Sequence, residues 1–92
     1  MTLEELKREL STLFKTGKLE EILVLLDKYL LDNSVAHNEY LEISSIFYRL
    51  QDDRNRNRIS QADEQVGITK IIQRIKTLIK GITKDDTNEL II

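Results

Sequence analysis

The chain has 92 residues, a length that holds one domain with a single modest core and no separate catalytic lobe. Hydrophobic residues make up 40% and charged residues 33%, which is enough apolar material for a core and excludes a disordered tail. The 14 basic and 16 acidic residues leave a net charge of −2, which disfavours a dedicated nucleic-acid binder, and the absence of Cys excludes disulfides and thiolate metal sites.

With no Pro and only three Gly, the chain reads as helices joined by short connections. Thr2 and Glu5 have the spacing of a capping box, and Leu3, Leu6, Leu10, Leu13 and Phe14 then share one helical stripe, so a first helix is expected to run to about Thr16. Gly17 suits the left-handed residue that ends a helix. A second pattern starts at once with Leu19, Ile22, Leu23, Leu26, Tyr29 and Leu30, making a hairpin with the first. Asp32, Asn33 and Ser34 form the next break. Ala36, Tyr40, Ile43, Ile46, Phe47 and Leu50 follow on one face of a third helix that continues toward Asp53. The segment QDDRNRNR is too polar to bury, and Ile59 and Ser60 have the character of a staple residue and an N-cap for a last helix from about Gln61. That helix has the cleanest periodicity, with Ile68, Ile71, Ile72, Ile75, Leu78, Ile79 and Ile82 on roughly a third of its circumference. The expected fold is all-α, a compact antiparallel bundle of four main helices, with room for an extra short turn that would give a death-fold-like count. One domain is expected over residues 1–82. Residues 83–92 lose periodicity and are expected to fray or to begin a linker, with Leu90, Ile91 and Ile92 available to dock on a neighbour.

No constellation for catalysis is evident. There is one His, no Cys, no Gly-rich phosphate loop and no zinc-type spacing, so no catalytic, cofactor-binding or metal-ligating residue is assigned, and neither a cofactor nor a small-molecule substrate is expected. His37, at the start of the third helix, is expected to cap or to lie on the surface. Asp52 and Asp53 diverge on a helix and are expected to be solvated or paired with arginines. No apolar run approaches the length of a bilayer span, and the start MTLEELKREL is unlike a signal peptide, so a cytoplasmic protein without a membrane partner is expected.

Binding is the remaining class. Val24 and Leu31 lie off the apolar stripe of the second helix, and Leu41 and Tyr48 lie off that of the third. Either both helices touch neighbours on two sides, or these residues form a sticky surface for another molecule. Lys70, Arg74, Lys76 and Lys80 make a cationic polar side on the last helix, with no acid between Gln65 and Lys84. Glu4, Glu5, Glu9, Glu20, Glu21 and Asp27 oppose it on the early helices, which suggests head-to-tail docking. Arg49, Arg54, Arg56 and Arg58 form a third patch, diluted by Asp52 and Asp53. The partner-binding candidates are therefore Glu20, Glu21, Asp27, Leu41, Tyr48, Arg49, Arg54, Arg56, Lys70, Arg74, Lys76 and Lys80.

The run HNEYLEISSIFYRLQDDRNRNRIS, followed by a charged helix start and IIQRIKTLI, places Asn38, Glu39, Tyr48, Leu50, Ile59, Ser60 and the Ile71 to Ile79 helix in a distinctive order. In that order the chain resembles the bacterial effector-associated domains of the eleventh class, grouped with death-like adaptor domains. Two positions depart from the pattern: a turn usually built on Gly has Asn57, and an Asn-Arg pair of the final helix is replaced by Thr69 and Lys70. The resemblance implies a non-catalytic adaptor domain fused to, or recruiting, effectors such as proteases, TIR-type enzymes or NTPase switches in bacterial conflict and anti-phage systems. Its partner would be a protein, either another copy or a related domain on an effector. Two rivals remain: a nucleic-acid-binding regulator using the Arg49 to Arg58 cluster, and a structural dimerisation subunit.

Overall fold

The computed structural model describes residues 1–92 and consists of α1 (Leu3–Lys15), α2 (Leu19–Tyr29), α3 (Val35–Asn55), α4 (Gln61–Gly81) and a single 3₁₀ turn, Lys84–Asp86. Each boundary has a local chemical cause. At α1 the capping box forms in both directions, Glu5 N donating to Thr2 Oγ1 at 3.2 Å and Thr2 N to Glu5 Oε1 at 3.3 Å. Gly17, at φ +72°, turns the chain into α2. Asn33 and Asn57 take φ of 68° and 55°, the left-handed geometry that Asn enters more readily than other non-Gly residues. The Ser34 and Ser60 hydroxyls accept from His37 N and Asp63 N, both at 3.1 Å, and start α3 and α4. Despite its β-branched content, α4 is helical from Gln61 to Gly81.

Every helix contributes its apolar stripe to one core, with Leu6, Leu10, Ile22, Leu26, Ile43 and Ile75 fully buried. Each such side chain contributes about 1.5–3 kcal/mol by leaving water. The packing closes a ring: α1 lies on α2, α2 on α3, α3 on α4, and α4 back on α1. The longest seam is α3–α4. Leu50 packs its side chain over Gly67, where an added Cβ would stand 2.7 Å from Leu50 Cδ1 and the leucine would have to shift.

The tail corrects an expectation. Residues 83–92 do not fray but strap the bundle. Leu31 N donates to Asp86 O at 2.7 Å, Asn88 N to Tyr29 O at 3.0 Å and Ile92 N to Met1 O at 2.9 Å, and Leu30 forms an isolated antiparallel bridge with Thr87. Ile82 and Ile91 are buried in the core. The order comes from hydrogen bonds to the α2–α3 connection, which leave no periodic signature in the sequence.

Asp86 holds the strap. Its Oδ1 accepts from Ala36 N in the first turn of α3 at 3.3 Å, and its Oδ2 accepts from Thr83 N at 2.9 Å and Thr83 Oγ1 at 3.1 Å. Burial alone would raise the carboxyl, but these donors outweigh it and hold Asp86 below the ordinary aspartate range. The contribution is therefore fully present above the unfolded value of about 3.9 and is lost as pH falls through the lower folded value. Asp86→Asn is expected to destabilise the fold by ~1 kcal/mol at neutral pH, with the gap to the natural chain closing in strong acid, as urea unfolding over a pH series would read. Gly17→Ala is expected to cost about 1–2 kcal/mol, because its backbone is left-handed, and thermal unfolding checks it.

Candidate interaction surface

The four cations of α4 do not share one surface. Lys70 and Arg74 line a groove of about 650 Å³ against the start of α3, whereas Lys76 and Lys80 line a separate one of about 280 Å³ against Ser11, Phe14 and Lys15 of α1. At roughly 100° per residue, Arg74 and Lys76 are about 200° apart, and the single polar side expected from the sequence divides around the core stripe.

Arg74 is also engaged inside the molecule. Its Nη2 and Nε donate to Glu39 Oε1 at 2.7 and 3.0 Å, and Nη2 lies 3.4 Å from Glu42 Oε2. The hydrogen bond to Glu39 outweighs burial and raises Arg74 above its ordinary value. This guanidinium clamps α3 to α4. Lys70, Lys76 and Lys80 have no carboxylate within 4.0 Å.

The arginine patch is similarly diluted. Arg54 Nε lies 3.2 Å from Glu64 Oε2, Arg56 Nε 3.1 Å from Asp52 Oδ1, and Arg58 Nη1 3.8 Å from Asp53 Oδ1. Glu64 is buried, a position the sequence pattern did not mark. Arg49 alone of the four is exposed without a carboxylate partner.

The off-stripe apolar residues of α2 and α3 are not core. Val24, Leu31, Leu41 and Tyr48 are 60%, 44%, 49% and 43% exposed, so the alternative in which neighbours cover them on both sides fails. Glu20, Val24 and Asp27 follow one another at helical spacing along the outer edge of α2, Leu31 lies just past its end in the α2–α3 connection, and Leu41 and Tyr48 align along α3. The two lines meet across the α2–α3 seam. Val24 shares a groove with Glu20, Glu21 and Phe47, whose ring meets that of Tyr48 edge-on at 5.3 Å. Buried Tyr40 sits at the seam: burial first, and then the charge of Asp27, push its phenol up from its ordinary value, and Ser44 and Tyr48 also face it. Glu5 and Glu9 lie elsewhere, with Arg8 in a groove on α1.

His37 departs from expectation. It is buried, not on the surface, with Nε2 3.5 Å from Asp32 Oδ1, its ring 5.6 Å from that of Tyr40, and Nδ1 without a partner. What is capped is its backbone amide, by Ser34. A lone His beside an aromatic carries no sequence signal that separates this packing role from exposure. Thr69 donates its hydroxyl to Gln65 O at 2.9 Å, one turn back on its own helix.

The model of effector-associated domain 11 matches residues 5–83, a span that includes all four helices almost entirely. The chain belongs to this family. No curated protein and no solved structure matches it. This effector-associated domain is of the non-catalytic, accompanying type, and none of its helices is long and apolar enough to cross a membrane.

The clamp between α3 and α4 is open to measurement. A double-mutant cycle on Arg74→Ala and Glu39→Ala is expected to give a coupling of about 0.5–1 kcal/mol, since the pair is only half-buried, with each single variant melting several degrees lower.

Proposed function

We propose that this effector-associated domain is a non-catalytic adaptor that recruits or clusters effector proteins by like-with-like association, in the bacterial cytoplasm and as part of a conflict or anti-phage system. The observation that carries the reading is the exposure of Val24, Leu31, Leu41 and Tyr48 on α2, α3 and their connection, with Val24 beside Glu20 and Glu21 in a groove that reaches Phe47 of α3. Four large apolar side chains on one small bundle form the kind of patch that marks a protein contact. Half-buried Leu and Tyr also keep enough contact with their own helices to be ordered before a partner arrives.

Such an adaptor needs no reacting group. Bringing tethered effectors together converts a dilute encounter into a local one, and the rise in effective concentration triggers an activity located elsewhere. The family membership supports this role for the chain. Nucleic acid fits less well as the partner, because three of the four arginines that would meet phosphates already face carboxylates.

Mass by light scattering over a concentration series tests the reading. The natural chain is expected to grow with concentration, and Leu41→Asp to weaken that growth by on the order of tenfold while helicity is retained. A single fixed mass of two copies at all concentrations would favour a permanent structural dimer. A strict monomer would overturn self-association.

A further inference from the structure

In the ring of four helices, the α2–α3 seam and the α4–α1 seam are two distinct edges, each with its own groove. The two edges carry opposite charge. On α4–α1, Lys15, Lys76 and Lys80 surround a groove of about 280 Å³ containing Phe14 and Ile79, with no acid in its wall. On α2–α3, Glu20 and Glu21 flank the protruding Val24. Lys18 is the one base in that groove, and Asp27 adds a further negative charge along the same line.

None of Lys15, Lys76, Lys80, Glu20 and Glu21 has an ion-pair partner within 4.0 Å in its own chain. That sets them apart from Arg54, Arg56, Arg58 and Arg74, which are answered internally. Two unanswered and complementary patches on one molecule, each with an apolar centre, suit a second copy of the same chain.

We propose that the Glu20–Glu21–Val24 edge of one copy docks in the Lys15–Lys76–Lys80 groove of the next, with Val24 directed at Phe14 and the carboxylates meeting the ammonium groups. The proposal rests on the like-with-like reading and adds to it the two mating surfaces and their order. Because the two surfaces differ, the contact is heterologous, the edge of one copy meeting the groove of the next in head-to-tail order. Complementary charges steer the encounter, and salt weakens it.

The test is charge exchange on the full chain, read by sedimentation velocity at low and high salt with circular dichroism to confirm folding. Glu20→Lys with Glu21→Lys, and separately Lys76→Glu with Lys80→Glu, are each expected to weaken self-association by about tenfold or more. An equal mixture of the two variants is expected to recover it, because the reversed edge of one then meets the reversed groove of the other, and the natural edge meets the natural groove. Val24→Ser, which alters no charge, is expected to weaken the natural chain as well. Natural assembly that survives both reversals would overturn this pairing while leaving like-with-like association standing. Assembly lost in one variant only, with no recovery on mixing, would overturn it in favour of a contact that uses the same patch on both copies. A natural chain that stays monomeric throughout would overturn the pairing and the reading beneath it together.

Discussion

The guanidinium of Arg74, held by Glu39 and Glu42 across the α3–α4 seam, sets the charge geometry of the whole domain. Two helices of 21 residues lie side by side there, with the Leu50 side chain packed over Gly67. Apolar packing supplies most of the stabilisation of that seam, and the ion pair contributes little more than orientation, as expected of a half-exposed contact. Its larger effect is on what remains. With Arg74 engaged, the cations of α4 that still face water without a partner carboxylate are Lys70, Lys76 and Lys80, and the last two look onto α1.

The strap from Thr83 to Ile92 holds the start of the same α3 helix. It crosses the α2–α3 connection, and Asp86 reaches the first turn of α3 at Ala36, just upstream of Glu39. A carboxylate beside free amides at a helix start is favoured both by hydrogen bonding and by the helix dipole. Ser34 already caps that helix through His37 N, so Asp86 satisfies a second amide that would otherwise face outward. The outcome is an α3 fixed at its start by the strap and along its length by α4.

Most of this architecture is legible in the sequence because each helix start carries a chemical mark. Thr2 with Glu5, Ser34 and Ser60 are short polar acceptors placed directly before apolar periodicity, and Gly17, Asn33 and Asn57 are the residues that enter left-handed backbone at least cost. The family too is legible, from the order of residues after Ala36. What escaped has a common physical cause: it depends on contacts between segments distant in the chain. Asp86 and Ala36 are 50 positions apart, Arg74 and Glu39 are 35 apart, and no periodicity links either pair. The α4 cations illustrate a different limit. Lying on the polar side of a helix is a statement about half a circumference, and only the positions of α1 and α3 divide that half into two surfaces. His37 was misplaced for the same reason, since its burial is decided by where Tyr40 packs and not by its neighbours in sequence.

The composition of the α2–α3 face bears on the kind of association it suits. Permanent dimers bury surfaces resembling a core cut in half, with few charges at the centre. Here Glu20 and Asp27 flank Val24 along α2, with Leu31 just past its end, and each apolar side chain is already partly covered. Docking such a face gains only the remaining exposed area and also dehydrates carboxylates, so the net affinity per contact is modest and sensitive to salt. A weak contact suits the proposed adaptor. Isolated domains then stay apart at low concentration, whereas domains brought close by their attached effectors or activator meet at an effective concentration high enough to assemble. A tighter, wholly apolar face would assemble without a signal and leave nothing for recruitment to control.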